Sequence, residues 1–246
     1  STGTIFEENR ICGSTEGDII SSPWNEATGS TRSDNTCDVI YNWNGDNDGS
    51  WCDSTCNEGA STTVGSGSSL QGALSGEYGT VDLTSDITVP GGLSVNTSHV
   101  TIDCGGHTIS GDGSGIGVLM RNRINNELRD CIIEEFQTGV ELQGTMHSRI
   151  LSNEMDNNDY GLVLRSDALP SRGNTINGNE MKSNEVYGTY LDGETFDNTF
   201  LNNDMRGEQY SLYTLANCNN LIADSNTGAM GRPIIYVHDS SGESEN

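Results

Sequence analysis

Lysine is almost missing from this chain: Lys182 is the only one, and the basic residues together number 11 among 246. Against them stand 36 Asp and Glu, which leaves a formal charge of −25. A surface that negative repels nucleic acid and anionic lipid, and no basic patch reverses the sign, so neither is expected as a partner. Proline and phenylalanine are scarce at 4 each. No run of about 18 apolar residues occurs, so no helical membrane insertion is expected. The chain begins at Ser1 without a basic and apolar leader, and a removed signal peptide would leave the same start. What abounds is Gly, with 31, and Asn, with 26. Acid excess with almost no lysine keeps a protein hydrated in very high salt, where screening removes the self-repulsion of the acids. The expectation is a salt-adapted, halophilic protein, and the alternative is a merely acidic secreted one.

Seven cysteines fall into two groups. Cys12, Cys37, Cys52 and Cys56 share the N-terminal region with all three tryptophans, Trp24, Trp43 and Trp51. That region has too few apolar side chains to offset chain entropy unaided, so its cysteines read as two disulfides whose pairing stays open. A zinc site is the rival, weakened because Cys12 and Cys37 lack the close paired spacing of a zinc ribbon. Disulfides imply an oxidising compartment, hence an extracellular or cell-surface protein. Cys104, Cys131 and Cys218 lie in a region of different texture, and the sequence assigns them no role.

In the same N-terminal region, Asn44, Asp46, Asp48 and Gly49 of "NGDNDG" match the opening of a calcium loop. Alternate oxygens there converge on a hard cation and Gly permits the turn. Counted from Asn44, position twelve is Thr55, where an EF-hand has Glu, so the match is partial and the rival reading is an acidic turn. Calcium is the one cofactor the sequence suggests.

From about residue 81 the chain becomes short β-branched runs separated by Gly and Asn. Leu128, Ile150, Ile176 and Phe200 recur at steps of 22, 26 and 24. The same steps carry Cys131 to Asn153, Asn179 and Asn203, and Ile133 to Met155, Met181 and Met205. One step back, Cys104 aligns with Leu128, His107 with Cys131, Ile109 with Ile133 and Val118 with Leu142. Such a period with two or three short strands per turn predicts an all-β solenoid whose coils stack at about 4.8 Å, about seven coils making a stack of about 34 Å. The aligned apolar residues supply its core. Asn153, Asn179, Asn203 and Asn226 supply a structural ladder at one corner, each amide bonding the next, in preference to a ligand-binding row. The expected organisation is an annex or arm over 1–61, a short capping segment over 62–80 with Leu70, Ala73 and Leu74 at helical spacing, the solenoid over 81–239 and a polar tail over 240–246.

The stretches "HVTIDCGGHTISG", "ILSNEMDNNDYGLVL", "TINGNEMKSNEVYGTYL" and "TFLNNDMRGEQYSLYTL" carry short N-x-I and N-x-x-G-I type repeats. They resemble the right-handed parallel β-helix family over roughly residues 81–237. The closing "GRPIIYV" is similar to the G-K-P-I-x-Y segment of NosD-type periplasmic β-helix proteins. The resemblance implies the fold, and it implies functions ranging from polysaccharide lyases and hydrolases through tailspikes and adhesins to copper-enzyme maturation. No His and Met cluster supports copper: His99, His107, His147 and His238 are scattered, and Met155, Met181 and Met205 align with core positions.

Enzymes on such a scaffold set carboxylates on one outward face, about 5–10 Å apart in glycosidases. The repeat register puts Glu127 beside Arg149, Asp156 beside Lys182 and Arg165 beside Asp192, so these charges answer one another. Glu134 above Asp156 is the like-charge step, and Glu134, Asp156 and Asp159 are the candidate catalytic or calcium-binding cluster. His107 beside Asp103 is a possible acid and base couple, though its column favours a ladder role. Asn96 opens an N-x-S/T sequon, a glycosylation candidate. Net charge divides as −9 over 1–61 and −16 over 62–246, a coat without a focus. The expectation is a structural or adhesive surface protein, self-associating or bound to surface proteins or glycans, with a polysaccharide-binding or polysaccharide-degrading protein as the alternative.

Overall fold

The computed structural model describes residues 61–76, 78–207, 209–215 and 219–234, together with the backbone of six short strands among the first sixty residues. The chain divides into two units, 1–60 and 61–246. In the first unit, Ile5–Glu7 pairs with Thr31–Ser33, Arg10–Ile11 with Thr36–Cys37, and Ile19–Ile20 with Ile40–Tyr41, all parallel. Ile5 faces Thr31 at the offset that Ile102 has from Leu128 in the second unit. The disulfide candidates Cys12, Cys52 and Cys56, the side chain of Cys37, the calcium candidates Asn44, Asp46 and Asp48, Cys218 and the tail 240–246 lie outside the described residues.

The second unit is a parallel β-solenoid of about seven turns. Its eight-stranded sheet runs from Ser61–Val64 to Leu221–Ile222, and strands from the same coils build a six-stranded sheet and shorter pairs on the other sides. In the eight-stranded sheet Val81, Ile102, Leu128, Ile150, Ile176, Phe200 and Ile222 stand in register, all buried. Ile87, Ile109 and Ile133 lead into Met155, Met181 and Met205 in a second column. Each coil alone cannot shield its inward residues, so every column is closed only by the coils above and below.

The repeat alignment holds from Leu128 onward; at the first step it holds for Ile109 with Ile133 and slips at two other matches. Sequence comparison matches Cys104 with Leu128 and Val118 with Leu142, whereas the strands pair Ile102 with Leu128 and Val118 with Val140. Both slips are by two residues, which leaves every side chain on the same face, so the apolar pattern is blind to them. The true register brings Cys104 and Cys131 together as a buried disulfide between adjoining coils, at a sequence separation of 27.

The corners are where backbone groups lose their strand partners, and buried amides replace them. Asn153 Nδ2 donates to Asn179 Oδ1 at 3.0 Å, Asn179 Nδ2 to Asn203 Oδ1 at 3.0 Å, and Asn203 Nδ2 to Asn226 Oδ1 at 2.8 Å. Each of the same oxygens also accepts the backbone N–H of the preceding ladder asparagine. A second ladder runs through Asn126, Ser148, Asn174, Asn198 and Asn220, and a third links Asn158 to Asn184. The residues before Asn153, Asn179 and Asn203 are left-handed, with φ of 53° at Ser152, 68° at Gly178 and 53° at Asn202. A left-handed residue turns the chain sharply enough to aim the next side chain inward, and Gly, then Asn and Asp, tolerate it best.

One end of the six-stranded sheet is closed by the helix Gly67–Ala73, which Ser66 and Ser69 cap reciprocally and whose Leu70 and Ala73 are buried. Gln71 Nε2 donates to the Ser94 carbonyl at 2.9 Å and Gln71 Oε1 accepts the Ser94 N–H at 3.0 Å. The side-chain amide thus substitutes for a neighbouring strand at the sheet's first edge.

Asn179→Ala removes four buried hydrogen bonds, those with Asn153 N, Asn153 Nδ2, Ile150 O and Asn203 Oδ1. It is expected to destabilise the solenoid by about 2–4 kcal/mol in urea unfolding. Asn177→Ala, two residues away and outside the ladder, should stay within about 0.5 kcal/mol of the parent chain.

Candidate functional site: a tyrosine and carboxylate face

The six-stranded sheet comprises Gly92–Val95, Ile116–Arg121, Thr138–Gln143, Tyr160–Arg165, Tyr187–Asp192 and Tyr210–Thr214. Val118, Val140, Leu162 and Thr189 point inward in one register row, and Met120, Leu142, Leu164 and Leu191 in another. Strand alternation sends the residues between them outward. That outward row is Ser94, Leu119, Glu141, Val163, Tyr190 and Tyr213. Beside it stand Tyr160, Tyr187 and Tyr210, and on its other side Arg121, Gln143, Arg165 and Asp192.

The five tyrosines form one aromatic surface across three coils. Ring centroids lie 5.5 Å apart for Tyr160 and Tyr187, 5.6 Å for Tyr187 and Tyr210, and 5.7 Å for Tyr190 and Tyr213. Tyr187 and Tyr213 stack at 5.0 Å with their planes 6° apart. Tyrosine is favoured on such a half-buried pleated surface, and aromatic neighbours across parallel strands reinforce one another. Beneath them Val163, although it points away from the core, is 0% exposed.

Glu141 shares that shielded outward row and is only 5% exposed. Burial pushes its carboxyl above the ordinary carboxylate range, while Arg165 and then Arg121 pull it back. Arg165 Nε approaches Glu141 Oε1 at 3.3 Å without hydrogen-bond alignment, and Arg121 Nε reaches Asp167 Oδ2 at 3.1 Å. The Tyr190 hydroxyl is raised by burial and by Asp192, and that of Tyr187 by burial and the neighbouring phenols. Both phenols therefore stay protonated and can donate as well as accept hydrogen bonds. At the helix-capped end of the same face, a cleft of about 320 Å³ is lined by Ser94, Asn96, Leu119, Arg121 and Arg123.

The residues singled out in the sequence fall elsewhere. Glu134 and Asp156 lie on adjoining coils, but Asp156 Oδ1 accepts the Lys182 backbone N–H at 2.6 Å. Burial pushes the Asp156 carboxyl up, against the pull of that hydrogen bond. Asp159 lies just past the corner at Asn158, one residue before the strand Tyr160–Arg165. Among the described residues, no group of three or more His, Cys, Asp and Glu side chains is placed to hold a metal ion. Glu127 and Arg149 pair at 3.0 Å. Lys182 turns its ammonium to Glu180 and Asp204, and Arg165 turns to Glu141 although Asp192 is its strand neighbour. His107 is half-exposed with Nδ1 3.2 Å from Asp86 Oδ1, while Asp103 pairs with Arg129, so neither the ladder role nor the couple with Asp103 is formed. Asn96 is exposed beside Ser75, and Met155, Met181 and Met205 are wholly buried in the core, out of reach of a delivered metal.

The tyrosine face itself escaped the sequence reading. Its signal was present as Tyr preceding the repeat glycines Gly161 and Gly188, and Tyr190 preceding the repeat leucine Leu191. The family model for the right-handed β-helix region matches residues 85–242. No curated protein and no solved structure matches the chain.

Because the Glu141 carboxyl is held above its unfolded value, both states are protonated well below the ordinary carboxylate range and the penalty vanishes there. It grows as pH rises from the unfolded-state value to the folded-state value and is complete above the latter. Glu141→Gln should therefore unfold at an equal or higher temperature than the parent chain near pH 8, with the difference shrinking toward about pH 3. Thermal unfolding across that range checks the sign.

Proposed function

The chain belongs to the right-handed β-helix family, and we propose that it is a secreted or cell-surface adhesive module. A rigid solenoid would hold a partner on the outer face of its six-stranded sheet without converting it chemically. The observation that carries this reading is the continuous surface of Tyr160, Tyr187, Tyr190, Tyr210 and Tyr213. On the eight-stranded sheet, charged groups on neighbouring strands are committed to one another, as in Glu127 with Arg149 and Asp103 with Arg129. Such pairing leaves a charged coat with little spare chemistry, while the part-exposed tyrosine rings, with Tyr210 53% exposed, can contact a ligand.

Three further features support the setting. The Cys104–Cys131 disulfide is of the kind that persists in oxidising compartments. The charge of −25 with a single lysine suits salt-rich surroundings. The eight-stranded sheet ends on Leu221–Ile222 with Leu221 58% exposed, an edge that suits assembly of copies into a layer or filament.

Particles coated with the protein and washed over immobilised polysaccharide, glycoprotein and anionic-lipid surfaces test the reading. Retention on a polysaccharide or glycoprotein surface, abolished by combining Tyr187→Ala with Tyr213→Ala and unaccompanied by release of soluble fragments, is the expected outcome. Free passage over all surfaces, or release of fragments by turnover, would contradict it.

A further inference from the structure

We infer that the C-terminal end of the solenoid is an interface at which two copies of this chain meet end to end in a closed pair. The inference rests on the assembly of copies in the proposed setting, and it names the contact.

A solenoid has two ends, and each exposes strand edges and core that only another coil would cover. The helix Gly67–Ala73 and Gln71 close one end of the six-stranded sheet. At the other end the last strands of the two large sheets, Tyr210–Thr214 and Leu221–Ile222, have no further strand beside them among the described residues. The inward column shows the consequence. Val118, Val140, Leu162 and Thr189 are wholly buried, whereas Leu212, next in register, is only partly so.

The side chains at this end suit contact better than water. An outward row of the eight-stranded sheet reads Thr80, Thr101, Glu127, Arg149, Thr175 and Thr199, and then Leu221, which is 58% exposed. Leu215 is 60% exposed and Met230 87%, so with Tyr210 this end holds four of the six large hydrophobic side chains exposed among the described residues. Met230 is also held left-handed, at φ of 61°, a conformation unfavourable for a bulky residue and offset here by no burial. Asp224 and Arg232 are the only Asp, Glu, Lys or Arg from 209 to 237, which makes this stretch neutral in a chain of charge −25.

A second copy is the occupant these features select. Its end has the same outline and the same half-covered column, so that coil would lie on coil. Copies carrying −25 each repel one another over the acid coat, and the neutral end is where they can approach. A two-fold contact sets each patch against itself. Antiparallel pairing of Tyr210–Thr214 about Leu212 brings no like charges together, and the exposed Asp224 and Arg232 offer opposite signs to the facing copy. Such a contact occupies both ends that it joins and stops at two copies.

Sedimentation equilibrium of the full chain, over a range of concentrations and from about 0.1 to about 2 M salt, tests the inference. A monomer and dimer equilibrium is expected, tightening as salt screens the acids. Leu221→Glu and Met230→Glu should each weaken it about tenfold, while Leu169→Glu, the same charge change at an exposed leucine between Arg165 and Ser171, should leave it unchanged. Backbone amides of Tyr210–Thr214 should exchange more slowly at concentrations where the pair forms. Thermal unfolding of every variant separates lost pairing from lost structure, and Met230→Glu, at the most exposed side chain, serves if Leu221→Glu fails to fold. A monomer at every concentration and salt would assign this end to another occupant and overturn the inference. Pairing that both glutamate variants leave intact, or open-ended growth that they stop, would overturn it as well. If coated particles adhere although the protein never pairs, the adhesive reading stands and this contact falls.

Discussion

Buried asparagine amides at the corners are the interaction on which the rest of the solenoid depends. Sheet hydrogen bonds satisfy the backbone along each side, but where the chain turns, N–H and C=O groups would be left dry and unpaired. A ladder asparagine supplies an acceptor for one coil's N–H and a donor for another coil's carbonyl, as Asn179 does for Asn153 N and Ile150 O. A left-handed residue before most rungs, such as Ser152 before Asn153, makes the turn that aims the amide inward. With corners pinned in this way, coil length can vary. The segment between Arg165 and Ser171 bulges outward without disturbing the register of Leu164 on Leu191.

Pinned corners give straight rows, and straight rows give the surface its chemistry. Because side chains on neighbouring coils stand one strand spacing apart, a recurring residue type becomes a continuous feature. Recurring tyrosine becomes an aromatic surface, and recurring charges of opposite sign become cross-coil pairs such as Glu127 with Arg149. Glu141 shows the cost of this arrangement, an acid in an outward row that its neighbours have deprived of water. A stiff scaffold with an aromatic stripe suits holding an extended ligand more than enclosing a small one.

The columns from Leu128 to Phe200 and from Asn153 to Asn226 were legible in the sequence because aligned steps preserve both residue type and spacing. The second ladder was hidden by Ser148, a serine standing in an asparagine row. The disulfide was hidden by a two-residue slip that conserves the inside-outside pattern. Glu141 could not be singled out at all, because the burial of an outward acid and its pairing with Arg165 and Arg121 of other coils depend on the register. The tyrosines read as strand formers, which they are, and their gathering on one face emerges only when coils are stacked.

The corner amides are structural bonds as strong as those of the sheet. Hydrogen exchange of side-chain amide protons, followed by NMR, measures this most directly. The account predicts that the Nδ2 protons of Asn153, Asn174, Asn179, Asn198 and Asn203 exchange as slowly as the backbone amides of Ile150 and Ile176, in one cooperative opening. Exchange at the rate of a solvent-exposed asparagine while those strand amides stay protected would contradict it.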